Sequence, residues 1–224
     1  MSKIKQGKFK ANVKSIKLIE RLNTIVEFFK DDMQYREINF EMNIQPELKK
    51  HHVVVDEARL SIVLYNLLSN SVKHTTGDSI TLTVNILSRQ EMVILQYNNK
   101  ISEKEESCMN DGSQKSNEDS DEGSWSNDSK DNISEKIGES ESENTLEKDK
   151  DNLQYLQIIV SDKGCGMNDE SSKKCFTLFG NLKFKKDINQ GGIGLGLASA
   201  SLICKALGGF ISLVKTKEEE GSVF

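Results

Sequence analysis

Residues Gly192–Leu197, near the C-terminal end, read Gly-Ile-Gly-Leu-Gly-Leu, and the apolar stretch Ala198–Leu207 follows at once. That stretch predicts a helix, which the pair Gly208-Gly209 would stop. Backbone amides at a helix start, left accessible by glycine, form an anion site. The run is not a Walker P-loop, since no Gly-Lys-Ser/Thr follows, nor a dinucleotide fingerprint, since no strand leads directly into it. Taken alone, it is equally typical of a flexible glycine-rich loop.

A second glycine-rich segment, Asp162–Met167, directly follows a predicted strand that contains Leu156, Ile158, Ile159 and Val160. Gly164 and Gly166 permit backbone angles and close approaches that side chains would block. A carboxylate at a strand end can accept a hydrogen bond from an exocyclic amine. An ordinary tight Asp-x-Gly turn accounts for the segment as well.

A third segment carries Asn66, Asn70 and Lys73 at spacings that place them on one face of a helix. An amide oxygen suits magnesium beside anionic phosphates, and an ammonium group neutralises phosphate charge. Another face of the same helix is apolar: Leu60, Val63, Leu64, Leu67, Leu68 and Val72. The polar face is therefore predicted to look into a cleft or, as for most polar helix faces, simply into solvent.

In this order the three segments resemble the N, G1 and G2 boxes of the sensor histidine kinase catalytic domain. That domain belongs to the GHKL superfamily, with gyrase, the mismatch-repair ATPases and heat-shock chaperones. The resemblance runs from about Gly7 to Phe224 and leaves out only an acidic segment. It implies the Bergerat ATP-binding fold, an α+β class (α/β sandwich) with a mixed, mostly antiparallel sheet and helices packed on one face.

The resemblance also implies roles for individual residues. Asn70 would bind Mg²⁺, Lys73 would touch phosphate, and His74 would lie beside the nucleotide. Asp162 would accept a hydrogen bond from adenine N6, which selects ATP over GTP. The other implied ATP or phosphate contacts are Asn66, Gly164, Gly166, Phe179, Gly192, Gly194, Leu195, Gly196 and Leu197. Without the resemblance, His74 is an ordinary helix-end histidine.

Phe176-Thr177-Leu178-Phe179 resembles the F box of the family, and the lysine-bearing stretch that follows, 180–190, resembles its mobile ATP lid. Phe176 and Phe179 are equally typical of core residues, and the lysines of surface charge. The terminal Gly221-Ser222-Val223-Phe224 resembles the beginning of the family's last strand motif.

Asn66 matches a position where gyrase-type relatives carry a glutamate that activates water. An asparagine amide is no general base. The sequence therefore favours phosphoryl transfer to an outside nucleophile, a histidine on another segment or chain, over hydrolysis. We assign no catalytic base within this chain. Two alternatives stay open: a GHKL-type ATPase, and a non-catalytic module that binds ATP for regulation or interaction.

Residues 12–224 are interpreted as this ATPase domain, interrupted at residues 100–152 by a segment with 17 acidic and 7 basic side chains. Such a composition cannot bury enough apolar surface to offset its ordering entropy, so disorder is expected. A tolerated loop insertion is one interpretation. A regulatory segment, phosphorylated at serines that precede acidic residues such as Ser116 and Ser120, is another.

Residues 1–11 resemble the tail of the phosphoacceptor and dimerisation helix that precedes this domain in the family. None of the three histidines (His51, His52, His74) has an H-box setting, and no receiver domain is present. The expected partners are therefore a histidine phosphoacceptor domain, in trans or in a longer parent chain, and a downstream receiver domain.

The composition of the chain limits which classes of function and ligand remain. Outside residues 100–152 the chain carries 18 acidic and 23 basic side chains, a mildly basic balance that suits a polyphosphate ligand. No nucleic-acid motif is visible, and no apolar run reaches the about 18 residues of a membrane helix. The four cysteines have no zinc spacing. We expect an intracellular protein, at the cytoplasmic face of a membrane if a region outside this chain anchors it.

Hydrophobic periodicity predicts the remaining elements. Helices are expected over residues 12–30 and after Asp56, which could cap the second of them. Strands are expected over Ile38–Ile44, Val53–Val55, Ile80–Ile86, Met92–Tyr97 and Phe210–Val214.

Overall fold

A five-stranded mixed sheet is the frame of the computed structural model, which describes residues 10–50, 52–98, 154–177 and 194–224. Its strand order is β2-β4-β5-β7-β6, from β2 (Asn39–Ile44), β4 (Ser79–Leu87), β5 (Tyr155–Asp162), β6 (Lys215–Lys217) and β7 (Gly221–Val223). β2 pairs with β4 in parallel, whereas β7 pairs antiparallel with both β5 and β6. This arrangement confirms the predicted α+β class with a mixed sheet.

The chain divides into two compact units, Met1–Ile86 with Leu156–Phe224, and Leu87–Tyr155. The first unit holds the core. On the inner strand β4, Ile80, Leu82 and Val84 are fully buried and alternate with partly exposed residues, as a strand with one buried face requires. They join one apolar cluster with residues of the helices. The sheet therefore presents an apolar face to the helical layer.

Five helices have both ends within the described residues: α1 (Leu18–Glu27), α2 (Lys30–Tyr35), α3 (Glu57–His74), α4 (Asp169–Lys174) and α5 (Gly196–Ala206). A 3₁₀ turn covers Pro46–Lys49. The long helix α3 packs against α5. In the described part of the chain, no helix is both long enough and apolar enough to cross a membrane.

The helix predicted over residues 12–30 is partly wrong. Residues 14–17 form β1, which pairs antiparallel with β3 (His52–Val55), and the helix begins only at Leu18. Ile16 lies opposite Val53 in this two-stranded sheet. Residues 14–17 have helical periodicity, but their pairing with a distant strand outweighs it. A local sequence pattern cannot reveal such tertiary pairing.

Two further strand predictions are wrong. Residues 92–97 lie in a helix that covers residues 89–98, and Phe210–Val214 has no regular secondary structure and precedes the strands β6 and β7. A capping box explains the first error, since the Glu91 carboxylate accepts from the Ser88 amide (2.7 Å) and the Glu91 amide donates to Ser88 Oγ (3.3 Å). The motif Ser-x-x-Glu was visible in the sequence and outweighs the short apolar alternation after it.

Asp56 caps α3, as predicted, and is buried. Its carboxylate accepts hydrogen bonds from the amides of Asn12 (2.8 Å) and Arg59 (3.2 Å) and from the Arg59 guanidinium. Burial opposes ionisation, but these three donors outweigh it and hold the pKa of Asp56 below its ordinary value of 3.8. Asp56 therefore joins α3 to the chain segment before β1.

We expect Asp56→Ala to lower the free energy of unfolding by about 2 kcal/mol, because the cap is lost and two amides lose their acceptor. Asp56→Asn, which keeps one oxygen but not the charge, should cost less. Because the folded pKa is depressed, the contribution is present above pH 3.8 and is lost as pH falls through the folded pKa. Urea denaturation at pH 7 and at pH 3 measures both effects, and equal losses at the two pH values would contradict this role.

Candidate functional site

The helix α3 carries the asparagine-rich segment as its sequence pattern predicts. Leu64, Leu67, Leu68 and Val72 are buried, whereas Asn66, Asn70, Lys73 and His74 are half-buried. The polar residues thus occupy a face of α3 distinct from the face that packs in the core. Half-burial, rather than full exposure, indicates that this face borders other parts of the protein.

Asp162 ends β5 and is almost completely buried, with 6% of its surface exposed. Its Oδ1 accepts hydrogen bonds from the backbone amides of Gly164 (3.1 Å) and Ser222 (3.2 Å). Its Oδ2 accepts from the hydroxyl of Ser71 on α3 (3.1 Å). One carboxylate therefore connects α3, the loop after β5 and the strand β7.

Burial raises the pKa of Asp162 above its ordinary value, and the hydrogen bonds from Gly164, Ser71 and Ser222 oppose that rise without cancelling it. No cation forms an ion pair with Asp162 in the described residues. A buried carboxylate that the fold does not neutralise is costly, and such groups concentrate at functional sites.

The glycines of the Asp162–Met167 segment permit close contacts between backbones. A Cβ on Gly164 would overlap the carbonyl oxygen of His74, and a Cβ on Gly166, where φ is +62°, would overlap that of Lys217. The Cys165 amide donates to the same His74 carbonyl (3.0 Å). These two glycines therefore allow the backbone of the loop to pack closely against the end of α3 and against β6. Whether they also touch a nucleotide stays a prediction.

His74, the last residue of α3, lies beside this loop. Its Nδ1 is 4.0 Å from the Sγ of Cys165, whose side chain is exposed. The structure therefore brings His74 and the Asp162–Met167 segment together. The contact is longer than an ordinary hydrogen bond and carries no mechanism by itself.

The C-terminal glycine run meets α3 at Asn66. Gly194 has a φ of +70°, Leu195 is the N-cap of α5, and the helix proper begins at Gly196. A Cβ on Gly196 would lie only 3.0 Å from Asn66 Oδ1. The Asn66 Nδ2 donates to the Ile62 carbonyl (2.9 Å), which leaves the amide oxygen at the start of α5. The end of the Gly192–Leu197 segment, at the start of α5, is thus adjacent to the segment of α3 that carries Asn66.

Two predicted site residues, Phe179 and Gly192, lie outside the described residues, as do Leu178 and the lysines of the predicted lid. The predicted insertion at residues 100–152 lies outside them as well, and so do residues 1–9 of the helix tail predicted over residues 1–11; Lys10 and Ala11 are described and have no regular secondary structure. Phe176 is described, and it packs against the core with its ring 6.2 Å from that of Phe224. For Phe176 the structure therefore favours a core role.

Three residues at this site were missed in the sequence: Ser71, Thr75 and Ser222. Ser71 and Thr75 are almost fully buried at the end of α3, and Thr75 Oγ1 is an orphaned buried hydroxyl without a hydrogen-bond partner in the described structure. A signal for Ser71 existed, since it interrupts the apolar stripe between Leu68 and Val72. A buried hydroxyl needs a partner, and here the partner is Asp162.

The donor set fits an adenine nucleotide. Asp162 supplies a buried acceptor, and Asn66 and Asn70 supply neutral amide oxygens on one helix face. The start of α5 adds a helix N-terminus, which favours anions. The Thr75 hydroxyl, which has no hydrogen-bond partner in the described structure, lies beside Gly164 and adds a further polar group next to Asp162 and its loop.

A family model for the "Histidine kinase-, DNA gyrase B-, and HSP90-like ATPase" matches residues 129–224. The sensor protein CiaH of Streptococcus pneumoniae serotype 4 is 38% identical over 69 residues, which cover 31% of this chain and 15% of CiaH. The autoinducer 2 sensor kinase/phosphatase LuxQ of Vibrio vulnificus is 30% identical over 96 residues, which cover 42% of this chain and 11% of LuxQ. The chain thus spans a small part of these relatives.

Solved structures agree on the fold. The Acinetobacter baumannii histidine kinase AdeS aligns with a TM-score of 0.57 at 14% identity, over 100% of this chain and 70% of AdeS. The catalytic domain of the histidine kinase ThkA aligns with a TM-score of 0.53 at 18% identity, over 95% of this chain and 92% of that domain. The C-terminal part of this chain, residues 129–224, is therefore similar to the histidine kinase-, DNA gyrase B- and HSP90-like ATPase family, and the described architecture shares its fold with histidine kinase structures.

Proposed function

We propose that this domain binds Mg-ATP between the polar face of α3, the Asp162–Met167 loop and the start of α5, and transfers the γ-phosphoryl group to a histidine of another segment or chain. The observation that carries this proposal is the position of Asp162. The Asp162 side chain is buried and has no cationic partner in the described residues. It accepts hydrogen bonds from Ser71 on α3 and from the Ser222 amide on β7. A carboxylate in such a place serves recognition better than stability.

In the proposed arrangement, each segment takes one part of the nucleotide. Asp162 accepts a hydrogen bond from the adenine amine, the loop glycines Gly164 and Gly166 hold that wall in place, and His74 lies beside the base. Lys73 and the helix start at Gly194–Leu197 bind the phosphates, with Gly192 and Phe179 completing the site. Positioning and electrostatic stabilisation then account for most of the rate acceleration.

Asn70, with Asn66 nearby, would hold the magnesium ion, because amide oxygens are hard ligands that add no charge beside phosphates. When bound, Mg²⁺ neutralises charge that develops on the phosphate oxygens. The Asn66 oxygen faces the first turn of α5, and its nitrogen is occupied by the Ile62 carbonyl. This amide cannot take a proton from water, which supports transfer over hydrolysis.

We also propose that residues 1–11 continue a phosphoacceptor helix, that residues 100–152 are an insertion in the 12–224 domain, and that the partners are a histidine phosphoacceptor domain and a downstream receiver domain. The names of CiaH and LuxQ, a sensor protein and a sensor kinase/phosphatase, support a role in phosphorelay signalling. A site on the cytoplasmic side of a membrane accords with this role.

Transfer is tested by incubating the full chain with radiolabelled ATP, Mg²⁺ and separately purified histidine phosphoacceptor domains. The expected result is acid-labile phosphate on an acceptor domain and little phosphate release in its absence. Steady phosphate release without an acceptor would instead establish an ATPase. ATP binding with no transfer to any acceptor would establish a non-catalytic module.

Asn70→Ala should weaken ATP binding about tenfold or more in the presence of Mg²⁺ and change it little when the metal is chelated. The reason is that only the metal-dependent contact is lost. Asn23→Ala, the same substitution at an exposed position of α1, is the matched control and should leave both affinities unchanged. Calorimetric titrations with Mg²⁺ and with chelator measure the difference. An equal loss in both conditions would remove Asn70 as the metal ligand.

A further inference from the structure

The hydroxyl of Ser71 makes an unusual contact for a helical serine. Serines within helices commonly donate to the carbonyl four residues earlier, as Ser61 does to Glu57 in the same helix (2.6 Å). Ser71 instead donates across the core to Asp162 Oδ2, 91 residues away in the chain (3.1 Å). Only 1% of its surface is exposed. Its hydroxyl is therefore directed at the buried carboxylate.

The two oxygens of Asp162 are held differently. Oδ1 accepts from two backbone amides, of Gly164 and Ser222, which the fold fixes regardless of side chains. In the described residues Oδ2 accepts from Ser71 alone. A carboxylate oxygen has two lone pairs, so Oδ2 can accept one more donor. Oδ2 is thus the oxygen that remains able to meet a ligand.

We propose that Ser71 is a positioning residue for base recognition, whose hydroxyl orients Asp162 so that Oδ2 accepts a hydrogen bond from the 6-amino group of a purine nucleotide. This inference rests on the proposed ATP-binding function and assigns a role to Ser71, to which the motif resemblance gives none. Ser71 touches no nucleotide itself and acts through Asp162. It thereby adds to the preference for 6-amino over 6-oxo purines, whose acceptor oxygen would face the carboxylate.

The cost of burying the Ser71 hydroxyl favours this role over a role in packing alone. A buried hydroxyl in an apolar stripe is costly unless it is hydrogen-bonded, and alanine would fill this helical position with better propensity. The hydrogen bond also opposes the effect of burial, which raises the pKa of Asp162. Ser71 therefore helps to keep the carboxylate an acceptor rather than a donor.

The test compares two nucleotides that differ only at the 6-position: ATP and purine riboside triphosphate, which lacks the amine. Calorimetric titrations with Mg²⁺ use the full chain as wild type, Ser71→Ala, Asp162→Asn and the double variant. Ser71→Ala should weaken ATP binding about tenfold and change the affinity for the analogue less than about twofold. In the Asp162→Asn background the serine substitution should have no further effect, since the coupling has been removed.

Two controls separate hydrogen bonding from packing. Ser71→Cys nearly conserves volume but is a weak donor, and it should behave like Ser71→Ala. Ser69→Ala, an exposed position two residues earlier on α3, should bind both nucleotides as wild type does. Unchanged ATP affinity in Ser71→Ala, or an equal loss for both nucleotides, would overturn the inference. A folded wild type that binds neither nucleotide would overturn the proposed function, and the inference with it.

Discussion

Asp162→Asn should weaken ATP binding at least about 100-fold while the nucleotide-free protein keeps or gains thermal stability. The substitution changes one atom of a buried group that already has three hydrogen-bond donors. Two backbone amides, of Gly164 and Ser222, fix the asparagine oxygen at the Oδ1 position. The amide nitrogen then takes the Oδ2 position, where a donor would face the amine of the base.

The stability part of this expectation follows from the direction of the pKa shift. Burial raises the pKa of Asp162 above its ordinary value of 3.8. A raised pKa means that this group stabilises the fold below that ordinary value, and that the contribution is lost as pH rises through the folded pKa. Above the folded pKa the ionised carboxylate is therefore a cost to the fold, which the neutral amide removes.

Calorimetric titration and thermal melting of the same samples measure both quantities. Asp169→Asn, an exposed carboxylate at the first turn of α4, is the matched control and should change neither. Unchanged ATP affinity in Asp162→Asn would exclude the assigned role. A large drop in melting temperature would show that the carboxylate is instead a structural group.

Gly166→Ala should lower the free energy of unfolding by about 3 kcal/mol or more. Gly166 has a φ of +62°, and the added Cβ would overlap the Lys217 backbone carbonyl, which cannot rotate away as a side chain could. The loop after β5 would have to separate from β6. Because Asp162 lies in the same segment, ATP binding should be lost together with stability.

Gly77→Ala is the matched control, since Gly77 has a similar φ of +68° but nothing within 4 Å of an added Cβ. That substitution should cost only about 1 kcal/mol, the conformational term alone. Urea denaturation of the two variants and wild type isolates the steric term. Equal losses in both variants would show that Gly166 is required for its backbone angle and not for the close contact with Lys217.

The parts of the fold that local sequence patterns could predict are those with long, regular periodicity. The stripe on α3 and the alternation on β4 identified a helix and a strand correctly, because burial alone sets their spacing. β1 could not be predicted in this way, since its pairing with β3 depends on a segment almost 40 residues away. The helix at residues 89–98 had a local signal, the Ser88–Glu91 capping box, which the short alternation obscured.

The candidate site likewise has parts that sequence patterns could predict and parts that they could not. Motif spacing predicted Asn66, Asp162 and Gly196 as site residues, and the structure places their segments together around α3. Motif spacing could not show that Gly164 and Gly166 are needed for backbone packing, because the atoms they admit belong to His74 and Lys217. Ser71 and Ser222 were missed for the same reason. Their contact with Asp162 exists only after α3, β5 and β7 have come together.

Titration of ATP into the full chain by calorimetry, with Mg²⁺ and with chelator, and with GTP as the comparison nucleotide, tests the central claim most directly. We predict saturable binding of one ATP per chain that is stronger with Mg²⁺ and much weaker for GTP. No detectable ATP binding by a chain that melts cooperatively would contradict the account, as would equal affinity for ATP and GTP.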